Sequence, residues 1–396
     1  MHSVLVINAG SSSIKFQLFA VAGGNELTRL LKGRIEGIGV KPMMLVEGRD
    51  AGTNGQRLYS PMEVPDVPTA MRQVWESLSA IAPDPPSAVG HRVVHGGPEF
   101  HRPVALDPAT LDKLEKLIPL APLHQPNNLA PIRALMTQSP GLAQVACFDT
   151  AFHRGHPEVA DRFAIPEAFY AQGIRRYGFH GLSYEYIARR LREIDPRSAS
   201  GRVIVAHLGS GASMCAMVDG RSVESTMGFT ALDGLPMGTR PGQIDPGVIL
   251  YLLANERMSA QQLERLLYHD CGLKGLSGIS NDVRELLASH RPEAALAIEY
   301  FVYRTICTAG ALASAISGVD AFVFTAGIGE NAAEIRARIA TGLEWLGVQL
   351  DLEANQRADT LISTPQSRIK VYVLPTDEEL MIARHTLAVL NLGGVP

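Results

Sequence analysis

Several common enzyme signatures are missing from this chain. It has no GxxxxGK[ST] loop, no HExxH pair and no GxSxG elbow. Those absences remove P-loop nucleotide hydrolysis, zincin proteolysis and serine-hydrolase chemistry. Its four cysteines, Cys147, Cys215, Cys271 and Cys307, are widely spaced with no CxxC. Neither a disulfide framework nor a thiolate zinc site is expected, and reduced thiols in the cytoplasm fit best. The pairs His91/His95 and His153/His156 lack the Cys or carboxylate partners of a zinc site. No basic run carries interleaved aromatics and the net charge is −4, which argues against nucleic acid as a partner. The least polar window, residues 305–329, is broken by Asp320 and several glycines, so no membrane partner is expected. The N-terminus has neither the basic start nor the apolar core of a secretory signal.

What remains is an ordinary globular composition, 46% hydrophobic and 19% charged. At 396 residues the chain exceeds what one core usually supports, so two domains are expected. One layout occurs twice. Val4 to Phe19 and Val203 to Val218 each read as strand, glycine turn, strand. At an offset of 199 residues Asn8 meets His207, Gly10 meets Gly209 and Ser11 meets Ser210. The simplest account is two related halves, each opening with a hairpin that can approach a phosphate; two unrelated hairpins are the alternative.

Between the hairpins, Thr69 to Ile81 carries Met71, Val74, Trp75 and Leu78 on one helical face. Asp107-Pro108 is a helix start. The run Pro119 to Pro131 reads as a proline-rich loop leading into a short helix, and Gln144 to Phe148 as a buried strand ending at Asp149. Met227 to Gly247 is a long glycine-rich loop, functional or disordered. A helix from Pro292 to about Ser317 is apolar nearly all round, as in a core or a subunit contact. After the strand Ala321 to Thr325, a turn over Gly327 to Asn331 leads to a helix that Asn331 is expected to cap. Thr376 and Glu379 look like the capping box of the last helix, which leaves Glu378 free for another role. Alternating strands and helices make this an α/β protein with mixed sheets.

Three glycine turns at strand ends, Gly10, Gly209 and Gly327, suggest a nucleotide whose phosphates are gripped from both sides. The GxGxxA match at Gly327 is too weak, and too far from the N-terminus, for a dinucleotide domain. Lys15 follows the first turn and could reach a phosphate, or be a solvated strand lysine. Arg92 in HRVVHGG and Arg240 in GLPMGTRPG sit in apolar or glycine-rich surroundings, where an arginine can fork onto a carboxylate or phosphate. Asp149 ends a buried strand, where ligands collect in open α/β sheets. A magnesium ion needs only one or two protein oxygens besides phosphate and water.

Nine segments in order resemble the acetate kinase family: NAGSSSIKFQLF, GHRVVHGG, LAPLHQPNN, FDTAFH, YGFHG, HLGSGAS, MGTRPGQIDPG, AGIGEN and TDEEL. They cover nearly the whole chain. The resemblance implies a duplicated ribonuclease-H-like, actin-like ATPase fold with two domains around a nucleotide cleft. The expected division is 1–150, completed by the C-terminal helix 380–396, and 151–379. It also implies a homodimer. The substrates would be acetate or acetyl phosphate and ATP or ADP, with magnesium as metal and manganese as its alternative. Asn8 and Glu378 would help hold the metal. Arg92 would bind the carboxylate, with Val94, Leu123 and Phe179 lining the acyl pocket. Asp149 would be the acid/base residue, His180 and Arg240 stabilisers of the transferring phosphoryl group. Lys15, His207, Leu208, Gly209, Ser210, Gly211, Asp282, Val283, Arg284, Gly327, Ile328, Gly329, Glu330 and Asn331 would hold the nucleotide.

Chemistry adjusts one of these roles. A carboxylate is already ionised at pH 7, so Asp149 has no proton to remove, and orienting Arg92 or a metal-bound water suits it better. Three positions depart from the family pattern. Ser210 replaces the asparagine of HLGNG, Asp377 replaces the asparagine of TNEE, and Ala231 stands where proline is usual. The last could enlarge the acyl pocket for propionate. The reading is an acetate kinase, with a short-chain acyl kinase as alternative. A sugar kinase, or a non-catalytic nucleotide-binding protein of the actin or chaperone kind, is a remote one.

Overall fold

The computed structural model describes residues 2–10, 13–23, 26–48, 56–59, 63–81 and 84–392. Ser11 and Ser12 of the first glycine turn, and the final four residues of the last expected segment, lie outside them. The chain divides into two compact units. The first is Met1–Phe152 with Asp377–Pro396, the second His153–Thr376.

The first unit is built on an eight-stranded sheet of order β5-β4-β3-β2-β1-β6-β8-β7. Its strands are β1 Ser3–Ala9, β2 Ser13–Val21, β3 Leu27–Glu36, β4 Met43–Gly48, β5 Gln56–Tyr59, β6 Ala88–Val93, β7 Val104–Ala105 and β8 Ala143–Phe148. Strands β1 to β3 pair antiparallel, while β6 runs parallel to β1 and β8 parallel to β6. Alternation sends Ile14, Phe16, Leu18, Leu31 and Ile35 into a core with Met71, Val74 and Leu78 of the helix Val67–Ile81. A second cluster joins Val93 and Phe148 to Leu111 and Leu114 of the helix Pro108–Glu115. Asp107 caps that helix, accepting from the Thr110 N–H at 2.6 Å.

The second unit carries a five-stranded sheet of order β11-β10-β9-β12-β13. The strands are β9 Arg202–Leu208, β10 Ala212–Val218, β11 Arg221–Ser225, β12 Ala321–Thr325 and β13 Lys370–Val373. Again three strands pair antiparallel and two continue in parallel beyond β9. In each unit, the third, second and first strands are followed by two that run parallel to the first. This is the ribonuclease-H-like order, present twice, and the fold is therefore a duplicated one of the actin-like ATPase type. The 199-residue offset carries the start of β1 onto β9 and of β2 onto β10.

Local expectations fail at four places. The expected loop at 119–131 is in large part helix, Gln125–Gln138, with one proline at its start and Pro131 inside. Gly327 to Asn331 is not a turn but part of the short helix Ala326–Asn331. Asn331 caps nothing; its Nδ2 donates to the Gly327 carbonyl at 2.8 Å. The last helix, Glu378–Leu390, is capped by Asp377, whose carboxylate accepts from the Leu380 N–H at 2.9 Å. Thr376 and Glu379 form no capping box, and Glu379 is turned to Asn8 instead. The long helix Pro292–Ala315 buries Ile298, Phe301 and Leu312, yet Leu296 and Tyr303 are well exposed on its other side.

Candidate active site

In the first unit, the parallel strands end together. Asn8 lies near the end of β1, Arg92 near the end of β6 and Asp149 immediately after β8. Asp149 is 1% exposed, and it grips Arg92 with both oxygens. The Nε–Oδ1 bond is 3.0 Å and the second runs from Nη2 to Oδ2. Arg92 Nη1 donates to Asn8 Oδ1 at 3.3 Å, and Nε stands 3.8 Å from Glu378 Oε2. Glu379 Oε1 accepts from Asn8 Nδ2 at 3.4 Å. Burial alone would lower the Arg92 guanidinium; Asp149 and Glu378 outweigh it and raise the pKa above the ordinary arginine value. Burial pushes the Glu378 carboxyl up to about 7, with Arg92 pulling it down and Asp149 and Glu379 adding to the rise.

Here three carboxylates crowd one guanidinium, and the donors are all oxygen. That suits a hard divalent cation held by one or two side chains, with phosphates and water completing its shell. Among the described residues no group of three His, Cys, Asp or Glu is arranged to hold a metal alone. Val94 is buried, its N–H bonded to Asn128 Oδ1 at 2.9 Å. Asn128 also donates to the Ala9 carbonyl at 2.6 Å, tying the end of β1 to the residue after β6. Leu123 is half-buried, and its carbonyl accepts from Asn127.

In the second unit, His180 precedes the helix Gly181–Ile194 with left-handed backbone, φ 57°. Its Nδ1 lies 2.8 Å from Ser213 Oγ, which also meets the Tyr184 hydroxyl. The His180 and His207 rings stack with centroids 4.1 Å apart, and His207 Nδ1 bonds Ser183 Oγ at 2.9 Å. Arg240 Nη1 donates to the Ala231 carbonyl at 2.8 Å. A Cβ on Gly211 would come within 2.9 Å of Arg240 Nη2 and 3.4 Å of His180 Nε2. Gly211 is therefore what lets these two side chains stand beside the turn. The segment 227–245 is not loose: Met227, Leu235 and Met237 are fully buried, and the Gly238 N–H donates to the Ser210 carbonyl at 3.1 Å. Phe179 is buried just before His180.

A pocket of about 520 Å³ opens at the ends of β9 and β12. It is lined by Gly209, Ser210, Asn281, Asp282, Val283, Arg284, Leu287, Gly327, Ile328, Asn331 and Ala332. Two of the three glycine segments thus meet in one cavity. Asp282 caps the helix Val283–Ala288 and pairs with Arg284 at 2.6 Å. His207, Leu208, Gly211, Gly329 and Glu330 do not line it. Glu330 spends its Oε1 on the N–H groups of Ala326 and Thr376, at 2.8 and 3.2 Å.

A family model described as the acetokinase family matches residues 3–384. The chain belongs to the acetokinase family. It is 61% identical to an acetate kinase of Nitrobacter hamburgensis over 98% of this chain and 96% of that one. Among solved structures, a propionate kinase from Francisella tularensis is 37% identical, with a TM-score of 0.92. It covers 98% of this chain and 100% of the other. An acetate kinase from Porphyromonas gingivalis is 36% identical, TM-score 0.89, with the same coverage.

Acetokinase membership makes this chain a kinase, and the reading as a non-catalytic nucleotide switch falls. Sequence reasoning missed Asn128, Glu379, Ser213, Asn281, Leu287 and Ala332. Asn128 was visible only as part of the HQPNN run, and Glu379 was assigned to a cap that Asp377 takes. Ser213 closes the HLGSGAS segment, but its bond to His180 comes only with folding; nothing local marks Leu287.

Proposed function

We propose that the chain is an acetate kinase. It transfers the γ-phosphoryl group of ATP to acetate, reversibly, giving acetyl phosphate and ADP. The observation that carries this reading is the Arg92–Asp149 fork. A sugar hydroxyl acceptor asks for a general base; here the carboxylate in that place is committed to an arginine, whose fork suits an anionic acceptor.

Arg92 binds the carboxylate of acetate, and Val94, Leu123 and Phe179 are the residues this reading assigns to its methyl group. Its oxygen attacks the γ-phosphorus; the new acyl O–P bond forms as the bond to the β-phosphate oxygen breaks, and ADP leaves. Asp149 orients Arg92 and takes no proton. His180 and Arg240 neutralise charge on the equatorial oxygens, which is most of what phosphoryl transfer requires. Lys15 meets the phosphates. The nucleotide occupies the cavity at Gly209, Ser210, Asp282 to Arg284, Gly327, Ile328 and Asn331. His207, Leu208, Gly211, Gly329 and Glu330 shape that turn from behind. Asn8 and Glu378 would hold magnesium, or manganese in its place, and the ion would supply further neutralisation of phosphate charge.

Ala231 favours a second reading, propionate as acceptor, because its side chain is smaller than the proline that the family resemblance implies there and its carbonyl accepts from Arg240 at 2.8 Å. One methylene is worth only ~1–3 kcal/mol, so either acid would be accepted. We also propose a homodimer, supported by Leu250, Tyr251, Leu296 and Tyr303, all apolar and exposed. A cytoplasmic location fits the four free cysteines.

The test is incubation with magnesium, ATP, hydroxylamine and, separately, acetate, propionate, butyrate or glucose. Hydroxamate from acetate, with kcat/KM falling along the series, is expected. Propionate leading would move the reading to the second acid. ADP release without hydroxamate would overturn both.

A further inference from the structure

A second cavity, of about 450 Å³, lies in the first unit on the face of the antiparallel strands. It is lined by Lys15, Gln17, Lys32, Arg34, Glu47 and Glu379, among others. The register explains the cluster. Lys15 pairs with Arg34, and Gln17 with Lys32, across β2 and β3; Lys32 in turn stands opposite Glu47 of β4. Ile14, Phe16 and Leu18 alternate with these residues and take the opposite, core face.

Two observations say that this face is incomplete. First, Lys15 and Arg34 are like charges directly opposite in a sheet, an arrangement that destabilises it unless an anion intervenes. Lys15 and Lys32 make no close hydrogen bond or ion pair among the described residues, although Glu378 feels the charge of Lys15 and Asp377 that of Lys32, and the Arg34 ion pair, to Glu36 at 3.5 Å, is an exposed one. Second, Gln17 is 5% exposed and its Oε1 has no hydrogen-bond partner. A buried acceptor left unpaired costs free energy, and natural structures rarely leave one so without a ligand or water to fill it. Glu47 and Glu379 at the same cavity disfavour a bare anion and favour one that also offers donors.

We propose that this cavity binds a small phosphorylated or carboxylated hydroxy compound, its anionic group on Lys32 and Arg34 and a hydroxyl donating to Gln17 Oε1. The site is distinct from the nucleotide cavity. It shares only Lys15 with the nucleotide residues of the proposed function, and it stands whether or not that reading holds. Glu379 joins it to Asn8 through the 3.4 Å hydrogen bond, so an occupant bears on the end of β1.

The experiment is titration calorimetry on the whole protein without nucleotide. The probes are 3-phosphoglycerate, inorganic phosphate, glycerate and glycerol. Phosphoglycerate is expected to bind at millimolar concentration or better, and glycerol not at all; phosphate against glycerate reports which anionic group the cations prefer. Lys32→Gln should weaken phosphoglycerate roughly tenfold or more, the loss of one charge-assisted bond. Gln17→Leu should erase the advantage of phosphoglycerate over plain phosphate. ATP affinity should stay unchanged in both variants. Absence of binding by any anion overturns the proposal. So does a Lys32→Gln protein that loses ATP affinity by the same factor, since the cavity would then be part of the nucleotide site.

Discussion

Arg92 is fixed before any substrate arrives. Asp149 holds two of its nitrogens and Asn8 a third. Removing one partner of a buried pair leaves the other uncompensated, at about 3–5 kcal/mol. Arg92→Lys keeps the charge but loses the fork, so kcat/KM for acetate should fall roughly 10²–10³-fold while KM for ATP is unchanged. Asp149→Asn should lower kcat/KM for acetate by a smaller factor and leave the pH-rate profile without a lost ionisation, since Asp149 acts as no base. A new or vanished limb in that profile would contradict its orienting role.

Glu378 gives a pH dependence of its own. Its folded-state carboxyl titrates at about 7, above the ordinary value of 4.5, because of burial and then the neighbouring carboxylates. The folded protein therefore holds a proton that the unfolded chain has released between those two values. Stability should fall as pH rises from about 4.5 to 7, by roughly 3 kcal/mol at most. Glu378→Gln should remove that fall, read by urea unfolding across the pH range without metal. Added magnesium should stabilise the wild type more at pH 8 than at pH 5.

At the level of elements, the C-terminal helix is what carries Glu378 and Glu379 to the strand ends, and Gly90 sets how closely it lies. A Cβ at Gly90 in β6 would come within 2.6 Å of Ile382 Cγ2. Gly90→Ala should destabilise by about 1–3 kcal/mol through overpacking. It should also lower kcat, because the helix and its carboxylates must shift. A variant with normal kcat and lowered Tm would show that the helix position does not matter to the chemistry.

Elements with strong local signals were legible in the sequence: the β-branched strands β1 and β9, the Asp107-Pro108 start, the periodic helix at Val67–Ile81. The failures share a cause. At Gln125–Gln138 proline suggested a loop, but proline near a helix start has no N–H to lose there, and buried Leu129 and Ile132 hold the helix down. At the last helix two adjacent residues could each cap, and the choice fell to Asp377 because Glu379 reaches Asn8, a partner 371 residues away. Such contacts leave no periodic trace. The same holds for the site. Asp149, Arg92 and His180 stood in apolar or glycine-rich runs and were legible. Asn128 and Ser213 lay in matched segments, but they act through neighbours remote in sequence, so their roles were not.

The whole molecule repeats one sheet order twice, with the first copy interrupted by the entire second unit and completed by Asp377–Pro396. His207 and Asn8, equivalent by the 199-residue offset, have different neighbours: His207 stacks on His180, while Asn8 bonds Arg92 and Glu379. The exposed apolar side chains Leu250 and Tyr303 belong to this scale as well. If they meet a second copy, Leu250→Glu with Tyr303→Glu should halve the mass seen by sedimentation equilibrium; an unchanged mass would place any dimer contact elsewhere.

The central claim is that a carboxylate takes the phosphoryl group. Phosphorus NMR of the pure protein with ATP, magnesium and acetate follows donor and product together. The account predicts an acyl phosphate resonance that grows as the γ-phosphate of ATP declines, one for one, and that is absent without acetate. Loss of the γ-phosphate to inorganic phosphate alone, or at the same rate with and without acetate, would contradict it.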